Sequence, residues 1–201
     1  MKIAILTFPG FNELDSFIAL GILNRIKHMK HKGWSVQITS PSTQITSMNN
    51  VTIERQQPLD FANQADVVLF GSGAQTISIA QDQTILSALQ LNPMQQLIGA
   101  QCSGTLLMAK LGLIGSLPAC TDLTTKPWVE AAGVNVIDAP FYAHENTSTA
   151  GGCMSSQYLA AWVIAKLTNK GDAADAIHYV APVGQKDEYV QRVMDVIDPF
   201  V

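Results

Sequence analysis

The chain has 201 residues, 47% of them hydrophobic and 14% charged. That length and apolar balance fit one domain, residues 1–201, with a full core, and exclude disorder and coiled coil. Twelve Lys and Arg against sixteen Asp and Glu leave a net charge of −4, which argues against nucleic acid as a partner and for a small-molecule substrate.

In chain order, Ile3-Ala4-Ile5-Leu6 reads as a buried strand closed by Pro9-Gly10. From Glu13 to about Lys30 apolar residues recur at helical spacing, and Gly33 marks a stop. Trp34 to Thr39 alternates as a second strand, and 41–65 reads as loop with a weak hairpin. Val67 to Phe70, bounded by Asp66 and by Gly71-Ser72-Gly73, is expected to be a central strand ending in a tight turn. Helix is expected over Asp82–Leu91, strand over Gln96–Ala100, helix over Gly104–Leu113, and a hairpin-like region from Leu117 to Thr149. Helices over Met154–Leu167, Asp172–Tyr179 and Glu188–Ile197 complete the order. Strands alternating with helices predict an α/β fold with a mostly parallel central sheet.

The three cysteines, Cys102, Cys120 and Cys153, form no CxxC pair, so neither a disulfide framework nor a metal site is expected, and no cofactor. Free thiols, the absence of a signal-peptide pattern after Met1 and the lack of a run of about 18 apolar residues point to a cytoplasmic protein without a membrane span. The one basic run, Arg25 to Lys32, lies in the last turns of a helix. Cations there complement the helix dipole without any ligand.

The sharpest feature is Ala100-Gln101-Cys102-Ser103-Gly104, where an apolar strand runs through a cysteine straight into a helix with small residues on either side. That is the layout of a nucleophile elbow. A helix N-terminus would stabilise the thiolate and lower its pKa, and the Ser103 amide could receive charge developing on a substrate. A cysteine packed as a small hydrophobe is the alternative.

With that elbow, the segments Phe8-Pro9-Gly10-Phe11-Asn12-Glu13-Leu14-Asp15, Asp66 to Gly73, Ala109 to Ile114 and Thr149-Ala150-Gly151-Gly152 occur in the order of the ThiJ/PfpI superfamily, which the chain resembles over roughly residues 2 to 180. The opening is most similar to the isonitrile hydratase branch. The resemblance implies a flavodoxin-like three-layer sandwich of the class I glutamine amidotransferase type, a homodimer, and Cys102 as a nucleophile facing an acidic residue, here Asp15. It also implies that Gly73 serves as a second oxyanion donor, with Gly71-Ser72 standing where Pro-Gly is usual. Where many members carry histidine, this chain has Asp122, so glutamine or peptide hydrolysis lacks its general acid. Chemistry needing one thiolate and one carboxylic acid remains: isonitrile hydration, or attack on a reactive carbonyl such as a glyoxal. A redox or ligand sensor built on the same cysteine is the competing class, and no DNA-binding segment is expected after the domain. Phe11, Asp122 and Cys153 are candidate pocket residues. Packing in the core is the reading favoured for Phe11 and Cys153 by residue type.

Overall fold

The computed structural model describes residues 1–201. Nine strands, β1 (Lys2–Leu6), β2 (Ser35–Ser40), β3 (Gln44–Thr46), β4 (Thr52–Glu54), β5 (Gln57–Pro58), β6 (Val67–Phe70), β7 (Leu97–Gln101), β8 (Phe141–His144) and β9 (Thr147–Ala150), alternate with eight helices. The helices are α1 (Glu13–Met29), α2 (Thr76–Ile79), α3 (Gln83–Ala88), α4 (Gly104–Lys110), α5 (Lys126–Ala131), α6 (Ser156–Leu167), α7 (Lys170–Val180) and α8 (Lys186–Ile197). Seven strands form one sheet in the order β5-β2-β1-β6-β7-β9-β8, parallel except for the terminal β8–β9 hairpin. β3 and β4 make a separate hairpin.

The central strands read as continuous apolar runs because both sheet faces are covered. Successive side chains take opposite faces. Ile3, Ile5, Val67, Leu69 and Leu97 join a core under α1, α6, α7 and α8. Ala4, Leu6, Val68, Phe70, Ile98 and Ala100 join a second core on the other face, under the helices between β6 and β8. Helices on both faces of a mostly parallel sheet make the flavodoxin-like α/β sandwich that the resemblance implies. On β7 the alternation includes Gly99, where a Cβ would stand 2.6 Å from Leu159 Cδ1. No helix is long and apolar enough to cross a membrane.

Several boundaries differ from the sequence expectation. The 117–149 region is not hairpin throughout: α5 interrupts it, and only β8 and β9 pair. The helix expected over Asp82–Leu91 shrinks to α3, capped by the Asp82 carboxylate on the amides of Thr84 and Ile85. The four-residue α2 precedes it. Elements of one or two turns carry too few apolar repeats to register as a period.

The basic run is tied into the fold. Lys30 Nζ and His31 Nε2 reach Asp172 at 2.8 and 2.7 Å, joining the end of α1 to the start of α7. Hydrogen bonds from Lys30 first, and then from His31, hold the Asp172 carboxyl down at about 2. A carboxyl lowered in the folded state stabilises above the ordinary value of about 4 and loses that contribution as pH falls through the folded value. Asp172→Asn is therefore expected to lower the melting temperature at pH 7, with the deficit closing as thermal scans are taken down toward about pH 2. A deficit that grew on acidification would contradict this account.

Candidate active site

The site forms where β1, β6 and β7 end. Cys102 follows β7 directly and has φ +47°, one of three non-glycine residues with positive φ. Such a conformation costs roughly 1–2 kcal/mol and persists only because its surroundings hold it. The Cys102 amide donates to Ala150 O at 2.8 Å, and its carbonyl accepts from Thr121 Oγ1 at 2.8 Å. Gly104 lets the turn close, since a Cβ there would meet Phe70 O at 2.7 Å and Gly71 O at 2.8 Å. These are backbone atoms that cannot swing aside. Gly104→Ala is expected to cost about 1–3 kcal/mol and to displace the thiol, measured as a lower melting temperature together with a changed rate of Cys102 alkylation.

Asp15 enters from the first turn of α1, whose N-cap Asn12 accepts from the Leu14 amide at 3.1 Å. Its carboxylate is 2% exposed. Oδ1 accepts from Cys102 Sγ at 3.9 Å, and Oδ2 accepts a short hydrogen bond from Ser72 Oγ. Glu13 turns elsewhere, accepting from Ser47 Oγ and from Asn49 Nδ2. Cys153, at the turn before α6, completes the group. Its sulfur, that of Cys102 and an Asp15 oxygen all lie within 4.8 Å of one another, and Asn12 Nδ2 donates to Cys153 Sγ at 3.1 Å.

Burial pushes the Asp15 carboxyl above its ordinary value, against the opposing hydrogen bonds from Ser72, Cys153 and Cys102. Burial also pushes the Cys102 thiol far up, with the Asp15 charge adding to it, and only the Gln101 amide at 3.7 Å pulls the other way. This corrects the expectation of a thiol acidified by its helix. Desolvation at a sulfur 3% exposed outweighs the dipole of the seven-residue α4. Two negative charges this close and this buried are costly, so Cys102 and Asp15 together hold at most one. Proton transfer between them makes a thiolate without adding charge to the site.

The other candidates fall in different places. Ser103 abuts the elbow, and its N–H donates to no protein acceptor. Gly73 does not offer a free amide: its N–H donates to Ser103 Oγ at 3.2 Å, and the residue also forms an isolated bridge with Phe11. Phe11 is not a pocket wall. It is 1% exposed and packs against Phe17 with ring centroids 5.8 Å apart. Asp122 caps the turn into α5, accepting from the amides of Thr124 and Thr125 and from Thr125 Oγ1. It reaches the site only as a distant charge that raises Asp15 and Cys102 slightly. Asp122 also lines a pocket of about 550 Å³ with Thr121, Lys126, Ala139, Gly151 and Gly152. Cys102 does not line that pocket; two of its lining residues connect to the elbow, Thr121 by donating to the Cys102 carbonyl and Gly152 by accepting from Gln101 Nε2 at 2.7 Å. A second pocket, about 360 Å³ and lined by Phe17, Arg25, Met154 and Tyr189, lies over α1 and holds none of the three clustered residues.

Three contributors went unread in the sequence: Ser72, Gln101 and Asn12. Ser72 had the clearest signal, a lone hydroxyl between two glycines at the end of a central strand.

Asp15, Cys102 and Cys153 are the one grouping of metal-ligand side chains. Burial shifts both thiols up, which suits proton sharing with the Asp15 carboxylate.

The sequence model of the DJ-1/PfpI family matches residues 1–166. Solved structures share the fold. A ThiJ/PfpI family protein from Pseudomonas syringae is 18% identical with a TM-score of 0.77, covering 98% of this chain and 87% of its own. DJ-1 of Schizosaccharomyces pombe is 15% identical with a TM-score of 0.75 over 90% of this chain and 100% of its own. Drosophila melanogaster DJ-1beta is 18% identical with a TM-score of 0.76 over 89% and 97%. No curated protein matches the chain.

Proposed function

The chain belongs to the DJ-1/PfpI family, and from that membership together with the Cys102–Asp15 pair we propose that it is a cysteine-dependent hydratase acting on a small electrophile, with isonitriles as the best-fitting substrate class. The observation that carries the reading is a buried thiol on a strained elbow, 3.9 Å from a buried carboxylate whose pKa is raised. Asp122 stands where a histidine would supply a general acid, which favours chemistry that one carboxyl can serve.

In this reading the Cys102 thiol passes its proton to Asp15 as sulfur bonds the terminal isonitrile carbon. Asp15 returns that proton to the same carbon, leaving a thioimidate. Water adds across the C=N bond, oxygen to carbon and hydrogen to nitrogen, with Asp15 relaying the proton. Collapse of the tetrahedral carbon then expels the sulfur, the hydroxyl proton returns to the thiol, and an N-substituted formamide leaves. The Ser103 amide is the donor for charge developing on the substrate. A thiol 3% exposed favours a compact substrate over a polymer.

Glyoxals could use the same thiol and carboxyl, so both classes belong in one screen with the formamide and hydroxyacid products quantified. Turnover of an isonitrile supports the proposal. A site that binds these compounds without turnover would instead support a ligand sensor, the reading that the elevated thiol pKa favours.

Ser72 is a positioning residue here. Its hydroxyl is the strongest contact lowering the Asp15 pKa. Ser72→Ala should raise that pKa further and move the acid limb of the rate profile to higher pH, with a loss of roughly tenfold near neutrality for one hydrogen bond to a charged group. An unmoved limb would remove Ser72 from the proton path.

A further inference from the structure

The mechanism above leaves the second thiol unused. We propose that Cys102 and Cys153 form a reversible intramolecular disulfide under peroxide, with Cys153 as the entry point, and that this bond withdraws the nucleophile. The proposal rests on the preceding reading only for what the disulfide would switch off.

The two sulfurs share the Asp15 cluster within 4.8 Å. They differ in access and in backbone conformation. Cys102 is buried and Cys153 half-buried, so a dissolved oxidant meets Cys153 first. Cys102 is held at φ +47° by the close-packed elbow. Cys153 instead begins a three-residue 3-10 turn just after Gly152, at φ +86°. A disulfide needs the sulfurs about 2 Å apart, and the adjustment falls to the half-buried Cys153 side chain, since Cys102 is enclosed by its elbow. Burial and the Asp15 charge oppose the thiolate at Cys153, and Asn12 Nδ2, 3.1 Å from its sulfur, is the donor placed to receive it once alkaline solvent removes the proton.

The steps balance. The Cys153 thiolate attacks one peroxide oxygen, the O–O bond breaks, and an alkoxide or hydroxide leaves with the electron pair and takes up a proton. Sulfur is oxidised to the sulfenic acid and the peroxide is reduced to an alcohol or water. Cys102 then gives its proton to Asp15 and attacks the Cys153 sulfur. The S–S bond forms, the S–O bond breaks, and the departing hydroxide takes the proton from Asp15 as water. A small thiol reductant reverses the bond by exchange.

The test reads the protein itself. Fully reduced chain is treated with hydrogen peroxide at pH 8, quenched by alkylation in denaturant, and examined by intact mass and peptide mapping. The expected result is a loss of two hydrogens (about 2 Da), one of the three thiols still alkylated, and a linked pair of peptides carrying Cys102 and Cys153 that dithiothreitol separates. Cys102→Ser should drive Cys153 on to sulfinic acid. Cys153→Ser, and Cys153→Ala as a second variant of similar volume, should abolish the linked pair and slow peroxide uptake severalfold. Cys120→Ala should leave the linkage intact. Sulfinic acid in the wild-type chain without a linked pair overturns the proposal, as does a linkage that needs Cys120. Because the readout is mass, a disulfide without isonitrile turnover sinks only the hydratase reading, and turnover without a disulfide sinks only the switch.

Discussion

Cys102→Ala is expected to abolish turnover of whichever isonitrile the wild-type protein hydrates, by ~10³-fold or more, because a covalent route has no substitute once its nucleophile is gone. Alanine keeps the positive φ and its strain, so the variant should fold and melt close to the wild type. Cys102→Gly provides a stronger contrast. Glycine adopts φ +47° freely, and removing the steric penalty should raise stability by roughly 1 kcal/mol, less what is lost in packing, while turnover is still abolished. An inactive protein that is no less stable separates a catalytic role from a structural one. Turnover within tenfold of wild type in both variants would end the assignment of Cys102 as nucleophile.

Asp15→Asn is the second large effect, an expected loss of ~10²–10⁴-fold in kcat/KM, the range for a positioned acid or base. The amide can still accept from Ser72 but can neither take the thiol proton nor return it. The pH dependence should change in a defined way. In the wild type the rate should fall as pH drops through the raised Asp15 pKa, since a protonated carboxyl cannot receive the thiol proton. The asparagine variant should lose that acid limb, and its residual rate should rise into the alkaline range as solvent ionises Cys102, a thiol now relieved of the Asp15 charge. Stability should move in the opposite sense to activity. A buried carboxyl whose folded pKa is raised contributes stability below its unfolded value, about 4, and loses it as pH rises through the folded value. At pH 8 Asp15→Asn should therefore melt higher than the wild type, with the gap closing on acidification. A variant that melted lower at pH 8 would mean that the hydrogen bonds to Asp15 outweigh the cost of burying its charge.

The legible parts of the molecule were those whose causes lie close together in the chain. β1, β6 and β7 announce themselves as apolar runs between turn residues, and α1 as a long run of apolar residues at helical spacing. α2 and α5 stayed hidden because each lasts only a turn or two, and α5 contains Pro127. The elbow was visible because strand, cysteine and glycine adjoin. The role of Gly73 was misjudged for the opposite reason, since its amide is occupied by a hydroxyl 30 residues away.

By itself, then, the amino-acid order determined an apolar, charge-poor α/β chain with one cysteine of three at a strand-to-helix turn. It also determined that this turn must be built from small residues, because those properties depend on residue type and on neighbours along the backbone. The family resemblance named Asp15 as the carboxylate facing that cysteine, and the tertiary structure gave the contact its geometry, bringing Asp15 and Cys102 together across 87 positions and placing Cys153 beside both. The tertiary structure also reversed the electrostatic expectation for the thiol. A helix end is a local feature that can be read from sequence, whereas desolvation is set by everything folded around the sulfur, and in a site this buried desolvation is the larger effect.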